Sequence, residues 1–145
     1  KAEGINLLSF SGFRSYSRQK TIYNIKKDYH NGNVKKTEEY VAPPGASEHQ
    51  LGLAMDVKDP SGKNLGPAFG KTKQGIWLKD NCHKYGFIIR YSKEYESVTL
   101  YNYEPWHLRY VGVDAAYAIN KMDNIPLEWY VSDLRLKIYQ YLIME

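Results

Sequence analysis

One cysteine, Cys82, stands among the 145 residues, which excludes an internal disulfide and any zinc cage built from thiolates. That scarcity leaves the redox compartment open. No apolar run approaches the roughly 18 residues a membrane span needs, so no membrane insertion is expected within this segment. Charge of one sign is not in excess either: 20 basic and 16 acidic residues give +4. The basic residues are scattered apart from Lys26-Lys27 and Lys35-Lys36. A nucleic-acid footprint needs them gathered on one face, so no nucleic-acid partner is expected. Attraction to a polyanionic surface stays open beside an ordinary basic exterior. Internal repeats, low-complexity tracts and linkers long enough to separate domains are absent. So is a signal-peptide pattern at Lys1, and a targeting segment upstream of this chain is expected.

What is present is an ordinary globular balance, 43% hydrophobic and 25% charged, in a chain long enough for one core. Residues 1–145 are expected to form a single domain. Tyrosine is abundant at 14 residues, and many are expected half-buried with the ring packed and the hydroxyl wet.

Short strands alternate with helical stretches. Strands are expected at Asn6 to Phe10, Leu53 to Val57, Phe87 to Tyr91, Val98 to Tyr103 and Trp106 to Val111. Ile22, Ile25 and Tyr29 recur at helical spacing from Tyr16 to about His30, with Ser17 as N-cap and Asn31-Gly32 as the stop. The stretch from Asn33 to Ser47 holds Pro43-Pro44-Gly45 and reads as a loop with room for one helical turn. Further helices are expected from Gln74 to Tyr85, ended by Gly86, and from Val113 to Met122. Pro126 opens a last one, whose apolar face is Leu127, Tyr130, Leu134, Ile138 and Tyr141. The pattern implies an α+β fold with a small, mostly antiparallel sheet flanked by helices.

Two of the four histidines lack partners at ligand spacing, and His30 and His83 are expected to face solvent or complement a helix end. The other two keep different company. Ser47-Glu48-His49-Gln50-Leu51-Gly52-Leu53-Ala54-Met55-Asp56 sets an aspartate inside an apolar strand, which is costly unless its charge is compensated. A divalent cation shared with His49 does that, and so does a buried Asp–Arg pair. Tyr103-Glu104-Pro105-Trp106-His107-Leu108-Arg109-Tyr110 places a glutamate and a histidine three apart, but Pro105 disfavours helix at Glu104. A turn or a kinked strand entry must bring the two to one cavity.

Together the segments supply two imidazoles and two carboxylates. Zinc catalysis wants three protein ligands, an open position and a carboxylate that takes a proton from water. Asp56 in its apolar strand suits the ligand role, and the longer Glu104 on a separate turn suits the base. A third segment, Ser11-Gly12-Phe13-Arg14-Ser15-Tyr16-Ser17-Arg18-Gln19, puts Arg14 between a strand and a helix. A guanidinium fixed there can polarise a carbonyl or hold a carboxylate, while a plain surface arginine is the alternative.

These three blocks, in this order, resemble the zinc D-alanyl-D-alanine carboxypeptidases of the VanY type, with likeness running from about Ser11 to Tyr130. The resemblance implies a Hedgehog/D,D-peptidase-like fold and one zinc ion on His49, Asp56 and His107. It implies Glu104 as the base and Arg14 as a group that touches the substrate carbonyl. Ser47 and Gln19 match positions that contact the bound peptide. The stretch Ser92 to Asn102 lacks the proline and glycine often found there, which leaves the substrate rim undefined.

The implied activity is hydrolysis of the terminal D-Ala-D-Ala bond of peptidoglycan stem peptides by a monomer in the bacterial envelope, outside the cytoplasm. An L,D-carboxypeptidase or a cell-wall endopeptidase is the nearest alternative, and a non-catalytic zinc-containing binding module the alternative of another class. The last helix is expected either to pack on the domain or to serve a dimer, with Leu134, Ile138 and Leu142 buried in either case.

Overall fold

The computed structural model describes residues 4–62 and 66–144; Lys1 and its flanking sequence lie outside them. Four strands, β1 (Leu8–Ser11), β2 (Ala54–Lys58), β3 (Phe87–Tyr91) and β4 (Glu104–Tyr110), form one antiparallel sheet in the order β1-β2-β4-β3. Six helices accompany it among the described residues: α1 (Tyr16–Tyr29), α2 (Val34–Glu38), α3 (Lys73–Asn81), α4 (Glu96–Thr99), α5 (Val113–Lys121) and α6 (Leu127–Ile143). The α+β architecture is the one the sequence implies.

Register positions the site. Across the central strands Asp56 pairs with His107, and across β1 and β2 Ser11 pairs with Asp56, so the three form one row. Side chains alternate along a strand. Val57 and Leu108 therefore take the other face, where they meet Phe69, Leu78 and Cys82 in the main core cluster. A second cluster joins Ile88 to Ala116 and Ile119 of α5, with Leu127 and Tyr130 of α6 against it. Gly86 ends the turn after α3 at φ 81°, and a Cβ there would come within 2.7 Å of the Tyr110 ring. Only glycine turns the chain into β3 at that point.

Three expectations need correction. The segment expected as a strand from Val98 to Tyr103 instead holds the end of α4 and an irregular passage. Leu100 is left-handed at φ 64°, and the Glu96 carboxylate accepts from the Tyr103 backbone N–H at 2.6 Å. The cap of α1 is Ser15, whose hydroxyl accepts from the Arg18 N–H, rather than Ser17. The buried residue of α1 is Gln19, while Ile25 and Tyr29 are exposed. Nor does the domain cover the apolar face of α6, since Leu134, Ile138 and Leu142 are all exposed in the single chain, which leaves the dimer reading standing. Among the described residues its first turn reaches the sheet, through Leu127, Tyr130 and Glu128, while the apolar side chains of the later turns stay uncovered. No helix among the described residues is long and apolar enough to cross a membrane.

His30 stands at a helix end as expected, and the rings of both His30 and His83 pack on tyrosines. His30, the C-cap of α1, stacks on Tyr40, and His83 meets the edge of Tyr117. Of the tyrosines, Tyr91 is buried and Tyr40, Tyr91 and Tyr101 line the candidate site.

Stability is expected to follow this division. Phe69→Ala, in a fully buried side chain, should cost about 3–5 kcal/mol by urea unfolding, while Leu142→Ala should stay within about 0.5 kcal/mol. Burial pushes the Cys82 thiol up to about 11, so thiol reagents at pH 8 should label it only as the protein unfolds.

Candidate active site

The site is built where the central row of the sheet meets the turn before β2. Glu48–Leu51 forms a single 3₁₀ turn that carries His49, and Gly52 ends it in the left-handed conformation at φ 70°. β2 supplies Asp56 and β4 supplies His107. His49 Nε2 lies 3.2 Å from Asp56 Oδ2, and His107 Nδ1 lies 3.0 Å from Asp56 Oδ1. All three side chains are buried, and one donor atom from each falls within 4.8 Å of the others.

The donor set fits a divalent cation. Ligand atoms at ordinary zinc distances on a tetrahedral ion lie about 3.3 Å apart, close to the two gaps seen here. The His49 Nδ1–H donates to the Gly12 carbonyl at 2.8 Å, so Nε2 is the nitrogen that His49 turns towards Asp56 and the cluster. Burial opposes ionisation of Asp56, yet the two imidazoles hold its carboxyl down at about 2. For His107, burial opposes the charge and hydrogen bonds to Asp56 and Glu48 win, raising it to about 9. An imidazolium thus balances Asp56 in the metal-free protein, and a cation taken up here displaces that proton.

Glu104 opens β4, with Oε2 4.0 Å from His107 Nδ1. On a regular strand, residues three apart point to opposite faces. The ladder between β3 and β4 is irregular between Ile89 and Tyr91, and Tyr91 pairs with Glu104 at that break. Beside the buried Pro105, this distortion turns Glu104 back to the face of His107. It is the kinked strand entry that the E-P-W-H segment requires. Burial pushes Glu104 up to about 7 and Asp56 adds to the rise, while His107, Arg14 and Lys26 pull against it.

Arg14 is not a surface arginine. Its side chain is 14% exposed, with Nη2 3.5 Å from Asp56 Oδ2, Nη2 donating to Ser11 Oγ and Nη1 donating to Gln19 Oε1 at 2.8 Å. Both ways of compensating Asp56 therefore coexist, an arginine on one side and a ligand set on the other. Gln19 is 1% exposed and donates through Nε2 to the Ala42 carbonyl, so both ends of its amide are engaged in holding Arg14 and the following loop. Ser47 is buried beside His49. Arg14, Gln19, Ser47, Glu104 and the three clustered residues all line one cavity of about 200 Å³.

Glu48 and two arginines also belong to the site, though no motif in the sequence singles them out. Glu48 Oε1 accepts from Arg90 Nε at 2.8 Å and lies 2.8 Å from Arg109 Nη1. Burial opposes this charge, but His107 and the arginines hold Glu48 down at about 2. The only sequence signal was a carboxylate one residue before a candidate ligand.

The VanY D-alanyl-D-alanine carboxypeptidase model matches residues 1–113. The chain belongs to that family. It is similar to the putative carboxypeptidase YodJ of Bacillus subtilis (strain 168), 50% identical over 136 residues, which cover 93% of this chain and 49% of that protein. The chain thus spans about half the length of this relative. A solved structure of the LdcB LD-carboxypeptidase superposes with a TM-score of 0.82 at 52% identity, covering 90% of this chain and 60% of that one. A vancomycin-resistance D,D-pentapeptidase VanY in complex with Zn(II) does so with a TM-score of 0.78 at 34% identity, over 90% of this chain and 74% of that one.

Zinc at about a hundred times its Kd is expected to raise the unfolding free energy by about 2.7 kcal/mol, read from urea curves. Asp56→Asn should lose most of that increment. Equal increments in the two proteins would put the cation elsewhere.

Proposed function

We propose that this chain is the catalytic part of a zinc carboxypeptidase that removes the terminal D-alanine from peptidoglycan stem peptides. The observation that carries the reading is the buried His49–Asp56–His107 donor cluster, with the Glu104 carboxylate 4.0 Å from one of its imidazoles. His49, Asp56 and His107 would hold the zinc. When bound, zinc supplies Lewis-acid chemistry, acidifying a water and polarising a carbonyl.

The residues divide the remaining work. Glu104, drawn towards neutrality by burial, takes a proton from the attacking water as its oxygen bonds to the scissile carbonyl carbon. It returns that proton to the amine nitrogen as the C–N bond breaks and D-alanine leaves. Arg14, fixed by Ser11 and Gln19, offers its guanidinium to the carbonyl oxygen as negative charge grows there. The fixing matters because a donor that is already oriented costs no reorganisation at the moment of reaction. Ser47 stands at the cavity wall where the peptide lies. Stem peptides of the wall lie outside the membrane, so the reaction belongs there.

Which bond is cut is the finer matter. The sequence blocks point to the D,D-bond, and the 52% identity with LdcB favours the L,D-bond instead. Defined stems separate them: release of D-alanine from a pentapeptide but not a tetrapeptide marks D,D-cleavage, and the reverse marks L,D-cleavage. Release from neither, by zinc-loaded protein, overturns the carboxypeptidase reading.

Glu104→Gln should bind zinc as the parent does while D-alanine release falls on the order of 10²-fold or more, measured with metal content on the same sample. Turnover within a few-fold of the parent would remove Glu104 as the base.

A further inference from the structure

We propose that Glu48 is a positioning residue that holds the His107 ring with its proton on Nε2, so that Nδ1 is presented to the metal. The proposal rests on the reading of His107 as a ligand. A neutral imidazole offers one nitrogen to a cation and carries its proton on the other, and the partner of that second nitrogen selects the form. For His107 the nitrogen facing the cluster is Nδ1, 3.0 Å from Asp56 Oδ1, and the one facing away is Nε2, 3.5 Å from Glu48 Oε2.

Glu48 is itself held in one orientation. Its Oε1 is occupied by two guanidiniums, Arg90 Nε and Arg109 Nη1, each at 2.8 Å, which leaves Oε2 directed at His107. Arg90 is fixed in turn by a fork onto Glu128, with Nη1 and Nη2 at 3.0 and 2.6 Å from its two oxygens. The chain of contacts runs Glu128, Arg90, Glu48, His107. It begins on the first turn of α6, beyond residue 113, and ends at the cluster. Tyr91 completes the seat, its ring centroid 5.0 Å from that of His107 and 5.0 Å from the Arg90 guanidinium carbon.

The two imidazoles are therefore backed differently. His49 donates to a neutral carbonyl, that of Gly12, and His107 faces a carboxylate. A carboxylate behind an imidazole raises its basicity as a ligand, and loss of such a partner typically weakens metal affinity 10–100-fold. Glu48 also belongs to the same turn as His49, so one short segment supplies a ligand and orients another.

The test is zinc affinity by chelator competition for the parent and for Glu48→Gln, with ¹⁵N NMR of His107 in the zinc-loaded parent. The expected result is 10–100-fold weaker zinc binding in E48Q, and a parent His107 protonated on Nε2 with that proton protected from exchange. Parent and E48Q affinities within twofold of each other overturn the role of Glu48 and leave the metal site intact. A parent that takes up no zinc overturns the metal reading and this proposal together. If E48Q does not fold, the NMR decides alone: a proton on Nδ1, with Nε2 on the metal, refutes the proposal.

Discussion

Asp56 sits in the middle of an apolar strand, and a buried carboxylate survives there only where positive or hydrogen-donating groups meet it. The sheet supplies them by register. Pairing Asp56 with His107 across β2 and β4, and with Ser11 across β1 and β2, sets partners on both sides of it. The turn before β2 adds His49, and Arg14 reaches in from the start of α1 over Ser11. A slip of one residue between β2 and β4 would send His107 to the opposite face and leave the charge unmet. The pairing of Val57 and Leu108 with Phe69, Leu78 and Cys82 on the far face resists that slip, because it would expose the apolar side of both strands. Core and site therefore enforce the same alignment.

Local distortion does the rest. Regular strand geometry would place Glu104 and His107 on opposite faces, and the irregular ladder opposite Ile89–Tyr91 is what reunites them. Proline at position 105 suits such a place, since it has no N–H to give to a ladder. The result is a carboxylate 4.0 Å from His107 Nδ1, yet attached to a different part of the chain from His49 and Asp56.

Much of this was legible in the sequence, for identifiable reasons. Asp56 was conspicuous because charge inside an apolar run has few cheap explanations. His49 and His107 followed from its company, and Pro105 ruled out a helical reading of the glutamate and histidine beside it. Gly86 marked a helix end because a positive φ demands it. The stretch from Val98 to Tyr103 misled because its Val-Thr-Leu-Tyr alternation satisfies a strand pattern, whereas the structure is set by Glu96, which binds the Tyr103 backbone, and by the Glu39 carbonyl, which accepts from Asn102. Neither partner is visible as periodicity. Gln19 lines the cavity while its polar ends meet Arg14 and Ala42 inside the fold, a burial no apolar stripe announces. The exposed apolar residues of α6 show the converse: a helical stripe records what can be buried, and burial needs a layer to meet it.

The ionic groups around Glu48 raise the question of what such an arrangement contributes. Desolvating three charged side chains costs roughly what their mutual attraction returns, so a buried cluster of this kind is weak as a source of stability. The apolar contacts of Phe69, Leu78 and Ile119 are the larger stabilising contribution, since each buried side chain of this size is worth roughly 1.5–3 kcal/mol. The ionic cluster differs from them in kind: it is directional. Two guanidiniums on one carboxylate oxygen fix the plane of that carboxylate, and the fixed plane constrains the one neighbour left to its second oxygen. Where apolar packing holds the sheet together with little regard to angle, these contacts specify the orientation of a single ring. Charged groups whose net energy is near zero can thus still determine the geometry on which a three-donor site depends.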